Sequence, residues 1–199
     1  MKKSKRLSIL HLYKKALFPY CTITVRSRLK KFGKLSQGDR LIAQPVRGAL
    51  DIVFNNRKLA TLAEVLEVKS DGGFTMLHLK GLTRVRIIGG NSVFSGMYDE
   101  IPVTGNDRQE RLREELRKKA QELIFLINVD ESDKLIHLLN FIVNLHQLTD
   151  FVSNYFVLKY PSRFTVFNEI DVEKRGHILL GILDGLIVEL KRKSEKEHR

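Results

Sequence analysis

The side chains best suited to chemistry in this chain are a Ser–Lys pair, a lone cysteine and six histidines. Ser162 lies three positions after Lys159, and a serine beside a desolvated lysine can act as a peptidase nucleophile. Adjacency in sequence does not supply that geometry. Cys21 lies in a stretch typical of a β-strand, where we expect a small buried apolar group and not a nucleophile. These residues therefore do not predict a peptidase.

Metal and nucleotide sites are not predicted either. His137 and His146 are nine residues apart, which places them on opposite sides of a helix, and no two histidines have the spacing of a ligand pair. Asp130 and Asp133 are expected in a loop and a helix cap. No Gly-rich phosphate loop with its lysine occurs. We expect no catalytic residue, cofactor or metal, and a binding protein that is not an enzyme.

The composition is that of a folded domain in a reducing compartment. The 199 residues are 43% hydrophobic and 29% charged, which allows a sizeable core and argues against disorder. One cysteine excludes an internal disulfide. His11 and Lys14-Lys15 interrupt the apolar residues after the basic start, and no run approaches the roughly 18 residues of a membrane span. We expect a cytoplasmic protein without a membrane span.

The positive charge is concentrated at the start of the chain. Of the net charge of +12, residues 1–40 carry +11, from 12 Lys and Arg against Asp39 alone. Residues 41–105 carry +1 and residues 106–199 are neutral. Such a field attracts phosphates, acidic lipids or acidic proteins. A solvated surface that keeps the protein soluble explains the same charge, and the sequence leaves both interpretations open.

The first half of the chain has the pattern of short strands. Residues 71–73, Asp-Gly-Gly, supply the positive φ angles of a hairpin loop. Residues 29–35 indicate a short helix or irregular turn, Pro45 a bend or edge position, and residues 89–91 a turn. The predicted strands are 7–12, 21–25, 41–46, 59–68, 74–82, 83–88 and 93–98. Many short strands with Gly-rich turns predict a small rolled sheet.

The second half has helical spacing. Asp107 and Glu110 form a capping box ahead of an apolar stripe that runs to residue 127. Residues 135–145 predict a second helix, apolar enough to be covered on most sides, and 148–158 a third that ends before Pro161. A last helix begins at Asp171, and its tail is expected to fray from Ser194. The fold class is α+β, with a β subdomain over 1–105 and a helical subdomain over 106–199.

Several segments, in order, resemble the N-terminal domain of the ATP-dependent Lon protease. Residues 79–87 are similar to its "EGLxRxRI" strand pair, residues 148–152 to its "LADxIA" helix start and residues 166–175 to its "LLExxDVxxRL" segment. The chain departs from the family pattern at Tyr20, where glycine is usual. Further similar segments are 7–12 with Phe18-Pro19, 38–43, and 61–67 with 71–73; further departures are Ala60, Lys80 and Phe164.

The resemblance implies a PUA-like rolled sheet followed by a helical bundle. In the full proteases this domain helps to recognise unfolded or tagged substrates and supports hexamer assembly. The ATPase and peptidase modules have no counterpart in these 199 residues, so we expect a stand-alone, bacterial form. The expected partner is a polypeptide segment, bound by an adaptor or accessory of protein quality control. The alternative is RNA, since PUA-like sheets also occur in RNA-associated proteins. The sequence does not determine the oligomeric state.

Two candidate surfaces follow from these patterns. A basic patch flanks the Phe18-Pro19 turn and is expected at one end of the sheet; it comprises Lys14, Lys15, Arg26, Arg28, Lys30, Lys31 and Lys34. Among its aromatic neighbours, Tyr13 and Tyr20 could stack on bases, whereas Phe18 and Phe32 are expected in the core. An apolar recognition patch is expected where sheet and helices meet, although a core role fits the same residues: Met76, Met97, Tyr98, Phe151, Tyr155 and Phe156.

Overall fold

Five of the six α-helices in the described residues follow the last strand, as the sequence predicts, and one short helix lies between β-strands. The computed structural model describes residues 6–28, 30–54, 58–71, 73–103, 109–127 and 132–197. The chain divides into two compact units, Met1–Pro102 and Val103–Arg199. We call them the sheet unit and the helical unit. The predicted α+β fold class is confirmed.

The sheet unit is a six-stranded sheet that closes on itself. The neighbour order is β2-β5-β4-β3-β1-β6, and β6 also pairs with β5, so the last strand returns to the long central one. β1 and β3 run parallel; the other pairs are antiparallel. The strands are β1 (Leu7–Tyr13), β2 (Thr22–Ser27), β3 (Arg40–Val46), β4 (Leu59–Asp71), β5 (Phe74–Ser92) and β6 (Ser95–Glu100).

The hairpin between β4 and β5 confirms the Asp-Gly-Gly prediction. Asp71 lies opposite Phe74, and Gly73 has a φ of 84°, a left-handed conformation that costs glycine little because it has no Cβ. A 3-10 helix at Lys30–Lys34 confirms the short helix expected there. It brings Phe32 into the core, where its side chain is fully buried.

The structure corrects three features of the predicted strands. Residues 74–82 and 83–88 form the single strand β5, because register shifts let it bend past Gly81 while staying paired. Residues 89–91 belong to β5, and the turn lies at Val93-Phe94. Pro45 lies in an interior strand, but beyond the last residue of β3 that pairs with β4, so its missing N–H breaks no bond on that side.

Both faces of the central strands are covered by apolar residues. Leu41 and Ala43 of β3 belong to one buried cluster and Ile42 to another. β3 therefore has an almost continuous apolar sequence where a half-exposed strand would alternate. A six-residue helix, α1 (Ala49–Phe54), follows β3 and is not predicted from the sequence. The carboxylate of its Asp51 accepts hydrogen bonds from the backbone N–H and the side chain of Arg47.

The helical unit contains five α-helices in the described residues. α2 and α4 pack against α6 around one apolar core that includes Leu116, Leu148 and Leu183. The capping residue predicted for α2, Asp107, lies outside the described residues, as does Asp130. The helices are α2 (Glu110–Ile127), α3 (Ser132–Phe141), α4 (Leu145–Phe156), α5 (Tyr160–Asn168) and α6 (Val172–Glu197). No helix among these residues is long and apolar enough to cross a membrane.

The second predicted helix is shorter and more exposed than expected. α3 ends at Phe141 instead of residue 145, and only its Leu139 is buried. Arg113 of α2 donates to the carbonyl of Val143, and Arg117 donates to the carbonyls of Leu139 and Ile142. These guanidinium groups satisfy carbonyls at the end of α3 that have no partner within the helix. α3 therefore combines apolar packing of Leu135, Ile136 and Leu139 with polar contacts at its end, and the prediction that it is covered on most sides is wrong.

The last part of the chain holds one further difference. Pro161 does not simply end a helix: it occupies the first turn of α5, where its missing N–H has no helical acceptor. α6 remains helical to Glu197, beyond Ser194, and the fraying expected there stays a prediction. Asp171 caps α6 as predicted, accepting a hydrogen bond from the Lys174 N–H at 3.0 Å.

Candidate functional site

The residues with side chains suited to catalysis lie in helices, in strands or next to them. Lys159 is the residue before α5 and Ser162 lies within that helix, where its side chain is half-buried. Cys21 is buried with 6% of its surface exposed. His78 shares a hydrogen bond with Thr24 at 3.0 Å. No group of three or more His, Cys, Asp or Glu side chains in the described part of the chain could hold a metal ion.

The predicted basic patch separates into two groups at different places on the sheet. Lys14 follows β1 and its N–H donates to the carbonyl of Val46, at the end of β3. Arg26 lies in β2 opposite Met76 of β5, which in turn lies opposite Lys69 of β4. Along β4, Lys69 is eight residues beyond Thr61, the partner of Ala43 in β3, or about 25 Å of extended strand. The structure does not bring Lys14 and Arg26 together.

The group at the end of β1 combines cations with an exposed aromatic ring. Lys14 has a φ of 49°, and its amino group lies 5.3 Å from the centre of the Tyr13 ring. The Tyr13 side chain is 60% exposed. Lys15 is also exposed, and its N–H makes a long hydrogen bond to the Leu12 carbonyl. The accessible ring can stack on a base, and the cations beside it can bind a phosphate.

The group at β2 contacts part of the predicted apolar patch. The guanidinium carbons of Arg26 and Arg28 lie 5.8 and 4.9 Å from the centre of the Phe74 ring. Met76 is two residues further along β5, on the same side of the strand, and directly opposite Arg26. We call the surface formed by Arg26, Arg28, Phe74 and Met76 the Arg–Met face. Both arginines are exposed, and Phe74 and Met76 are half-buried.

Arg26 and Arg28 bring positive charge to the Arg–Met face. In the neighbouring strand β4, the carboxylate of Glu67 pairs with the amino group of Lys69 at 2.9 Å, so this acid is already balanced. Lys34, at the end of the 3-10 helix, is exposed. The side chains of Lys30 and Lys31 lie outside the described part of the structure. Thioether, ring and guanidinium groups together offer adaptable apolar contact and positive charge.

The other apolar candidates lie in different surroundings. Met97 and Tyr98 are half-buried in β6, and Tyr98 packs against the buried cluster around Ile42. In the helical unit, Phe151 is half-buried and its ring centre lies 4.6 Å from that of Tyr155, which is 47% exposed. Phe156, with 6% of its surface exposed, belongs to the core. Phe151 and Tyr155 therefore remain accessible, whereas Phe156 is a packing residue.

The segments that carried the family resemblance hold the fold together. The buried guanidinium of Arg175 lies 3.9 Å from Asp150, and it donates to the Thr149 hydroxyl and the Glu169 carbonyl. This network joins the starts of α4 and α6. In the sheet unit, a Cβ on Gly81 would lie 2.3 Å from the Phe18 carbonyl oxygen. These motifs specify structure and leave the Arg–Met face without a sequence signature.

Some exposed apolar side chains of the helical unit are not among the predicted site residues. Phe125 near the end of α2 is 67% exposed, Phe141 is 69% exposed and Val143 is 64% exposed. Phe141 also makes an edge-to-face contact with the His137 ring, at 4.6 Å between centres. Helical periodicity predicts which residues can face a core, but it does not show how much core is present to cover them.

Comparison with known proteins identifies the family. A model of the ATP-dependent protease La (LON) substrate-binding domain matches residues 6–185. No curated protein sequence matches the chain. The N-terminal domain of Mycobacterium avium complex Lon protease shares the fold with a TM-score of 0.73 at 17% identity, over 90% of this chain and 98% of that one. A Lon N-terminal domain protein from Xanthomonas campestris gives 0.57 at 15% identity, over 89% and 98%. The chain belongs to the Lon substrate-binding domain family.

Proposed function

We propose that this chain is a non-enzymatic module that binds exposed polypeptide segments, as an adaptor or accessory in protein quality control. The observation that carries the proposal is the Arg–Met face, where Arg26 and Arg28 lie over Phe74 beside Met76. Family membership supports a substrate-binding role. Methionine and arginine can contact many partner sequences because both side chains adapt their shape and bind apolar groups.

Binding on this face is reversible and needs no cofactor. Binding is favourable because a partner removes the remaining apolar surface of the half-buried Phe74 and Met76 from water. Arg26 and Arg28 attract acidic segments and add contacts between cation and carboxylate. A folded protein presents few apolar segments in extended form, so the module prefers unfolded chains.

A direct test measures binding of one protein in two states. Fluorescently labelled lactalbumin is offered to the purified chain in its native form and in its reduced, carboxymethylated form. We expect tighter binding of the unfolded form by anisotropy. Met76→Ser should weaken that binding about fivefold, because roughly 1 kcal/mol of apolar contact is lost.

Leu50→Ser is the matched control, since Leu50 is 73% exposed in α1 of the same unit. It should leave the affinity unchanged. Equal affinity for native and unfolded lactalbumin would contradict the proposal, and so would equal losses in the two variants.

We propose RNA as the second candidate ligand because of the group at the end of β1. Lys14 lies over the exposed Tyr13 ring, and Lys15 is exposed beside it. Phosphate contacts weaken steeply with salt, on the order of a decade between roughly 50 and 200 mM, whereas apolar peptide contacts do not. Salt-sensitive binding of single-stranded RNA that Tyr13→Ala and Lys14→Ala reduce would support this candidate. RNA binding that both variants leave intact would exclude this site.

A further inference from the structure

β2 is an edge strand in the described sheet. It pairs with β5 on one side and is the terminal strand of the neighbour order. Its sequence from Thr22 to Val25 is β-branched throughout and has no proline, so it suits extended pairing. An edge strand presents backbone donors and acceptors to any extended chain that approaches it.

The hydrogen-bond pattern shows which groups of β2 face outward. The Gly81 N–H donates to the Cys21 carbonyl at 2.9 Å, and Cys21 immediately precedes the ladder in which Ile23 lies opposite Leu79 and Val25 opposite Leu77. Bonding alternates along an antiparallel pair. The backbone of Ile23 and Val25 is therefore directed to β5. The N–H and carbonyl groups of Thr22 and Thr24 are directed away from it.

The surroundings of this edge favour an acidic partner. Residues 21–38 contain five Lys or Arg and no Asp or Glu. Of these cations, Arg26 and Arg28 extend along β2 and its end, and Lys34 is exposed on the 3-10 helix that follows. A chain pairing with Thr22 and Thr24 would lie beside Arg26 and Arg28. Complementary charge steers such an encounter and selects its partner.

We propose that the outer edge of β2 binds an extended, acidic polypeptide segment by strand addition. The inference rests on the proposed function and specifies how the segment is held. Backbone hydrogen bonds to Thr22 and Thr24 supply contacts that are independent of the partner's sequence. The arginines supply the preference for acids. The Arg–Met face, on the exposed side of β2 and β5, receives side chains of the added segment.

The test uses a labelled ten-residue peptide in which Glu alternates with Val, and a matched peptide with Lys in place of Glu. The Glu peptide should bind at least about tenfold more tightly, because Arg26 and Arg28 attract it and repel the other. Thr24→Pro removes one outward N–H and places a ring where the added chain must lie. It should weaken binding of the Glu peptide about tenfold or more.

Thr24→Ala is the control, because the Thr24 hydroxyl also bonds His78. It keeps the backbone N–H and should change the affinity by less than about twofold. Hydrogen exchange gives an independent measurement: the peptide should slow exchange at Thr22 and Thr24. Ile23 and Val25, which already donate to β5, should not change.

Three outcomes would overturn the strand-addition proposal. Thr24→Pro could bind the Glu peptide as well as the unaltered chain, the Lys peptide could bind equally well, or single-stranded oligouridylate could slow exchange at the same amides and displace the peptide. If unfolded lactalbumin still binds in the first two cases, the proposed function stands and only the edge is excluded. If neither lactalbumin nor the peptide binds, both proposals fail.

Discussion

The residues of the family motifs stabilise the sheet unit and the helical unit in different ways. In the sheet unit the essential feature is a missing side chain: Gly81 lets the Phe18 carbonyl approach to where a Cβ would stand. In the helical unit it is a buried charge: Arg175 and Asp150 are 2% and 1% exposed. A close backbone contact tolerates no added atom, whereas an ion pair can be replaced if both partners change together. The Gly81 contact and the Arg175–Asp150 pair therefore differ in which substitutions they tolerate.

The largest expected effect is that of Gly81→Ala. Its Cβ would meet backbone atoms of Phe18 and Pro19, which cannot move aside as a flexible side chain can. We expect a loss of about 4 kcal/mol or more in the free energy of unfolding of the sheet unit. Hydrogen exchange resolved by peptide would locate the loss. Gly48→Ala is the control, because a Cβ there would meet nothing within 4 Å; equal effects of the two variants would refute the contact.

Arg175→Met should destabilise the helical unit by about 3 kcal/mol, since it leaves Asp150 buried without its cation. Urea unfolding followed by far-ultraviolet circular dichroism would measure it. The double variant Arg175→Met with Asp150→Leu should recover much of the loss, because no uncompensated charge remains. If the double variant loses as much free energy of unfolding as the two single variants together, the ion pair is not the cause of the destabilisation.

Tyr20→Gly should stabilise the sheet unit by about 0.5–1 kcal/mol. Tyr20 has a φ of 65° where the family pattern has glycine, and a side chain in the left-handed region costs roughly 1–2 kcal/mol. Part of the gain is offset by the greater freedom of glycine in the unfolded chain. Thermal unfolding would measure the change. A lower melting temperature would show that contacts of the tyrosine ring outweigh the backbone strain.

Acid should lower the stability of the helical unit by a small amount, and Asp51 adds a similar effect in the sheet unit, because hydrogen bonds from Arg47 hold its pKa below its usual range. The backbone hydrogen bond from Lys174 holds the pKa of Asp171 below its usual range. Burial raises the pKa of Glu114, but hydrogen bonds from Arg117 and Arg113 outweigh it and leave that pKa lowered. A lowered pKa contributes stability above the carboxylate's unfolded pKa, and this is lost as the pH falls through the folded one.

We therefore expect the helical unit to lose stability between about pH 5 and pH 3. Asp171→Asn preserves a capping side chain without a titrating group, so the acid-dependent part of the loss should shrink in this variant. Unfolding curves at both pH values would measure it. An unchanged pH dependence would assign the acid effect to other carboxylates.

Local chemistry predicted the parts of the fold that depend on few residues. Asp-Gly-Gly identified the β4–β5 hairpin, and Asp171 identified the start of α6. The predicted strands 74–82 and 83–88 divide β5 just after Gly81, because the sequence does not show that this glycine serves a close contact with Phe18. Pro161 was interpreted as an end, although the same residue type also starts helices.

The candidate surfaces were harder to predict because they depend on register. The basic residues were grouped by sequence position, but pairing along β4 places Arg26 and Lys14 apart. Residues two apart on a strand share a face, so Phe74 and Met76 could be grouped from the sequence. Their contact with Arg26 and Arg28 could not, because it requires the partner strand and its alignment.

The position of β1 bears on how the chain assembles during synthesis. β1 begins at Leu7, yet one of its neighbours, β6, begins only at Ser95. β1 is made before the other strands of the sheet unit and therefore waits for nearly the whole unit before both of its edges are covered. Such distant pairing slows folding, and a nascent chain stalled before residue 95 would expose an apolar strand edge prone to aggregation.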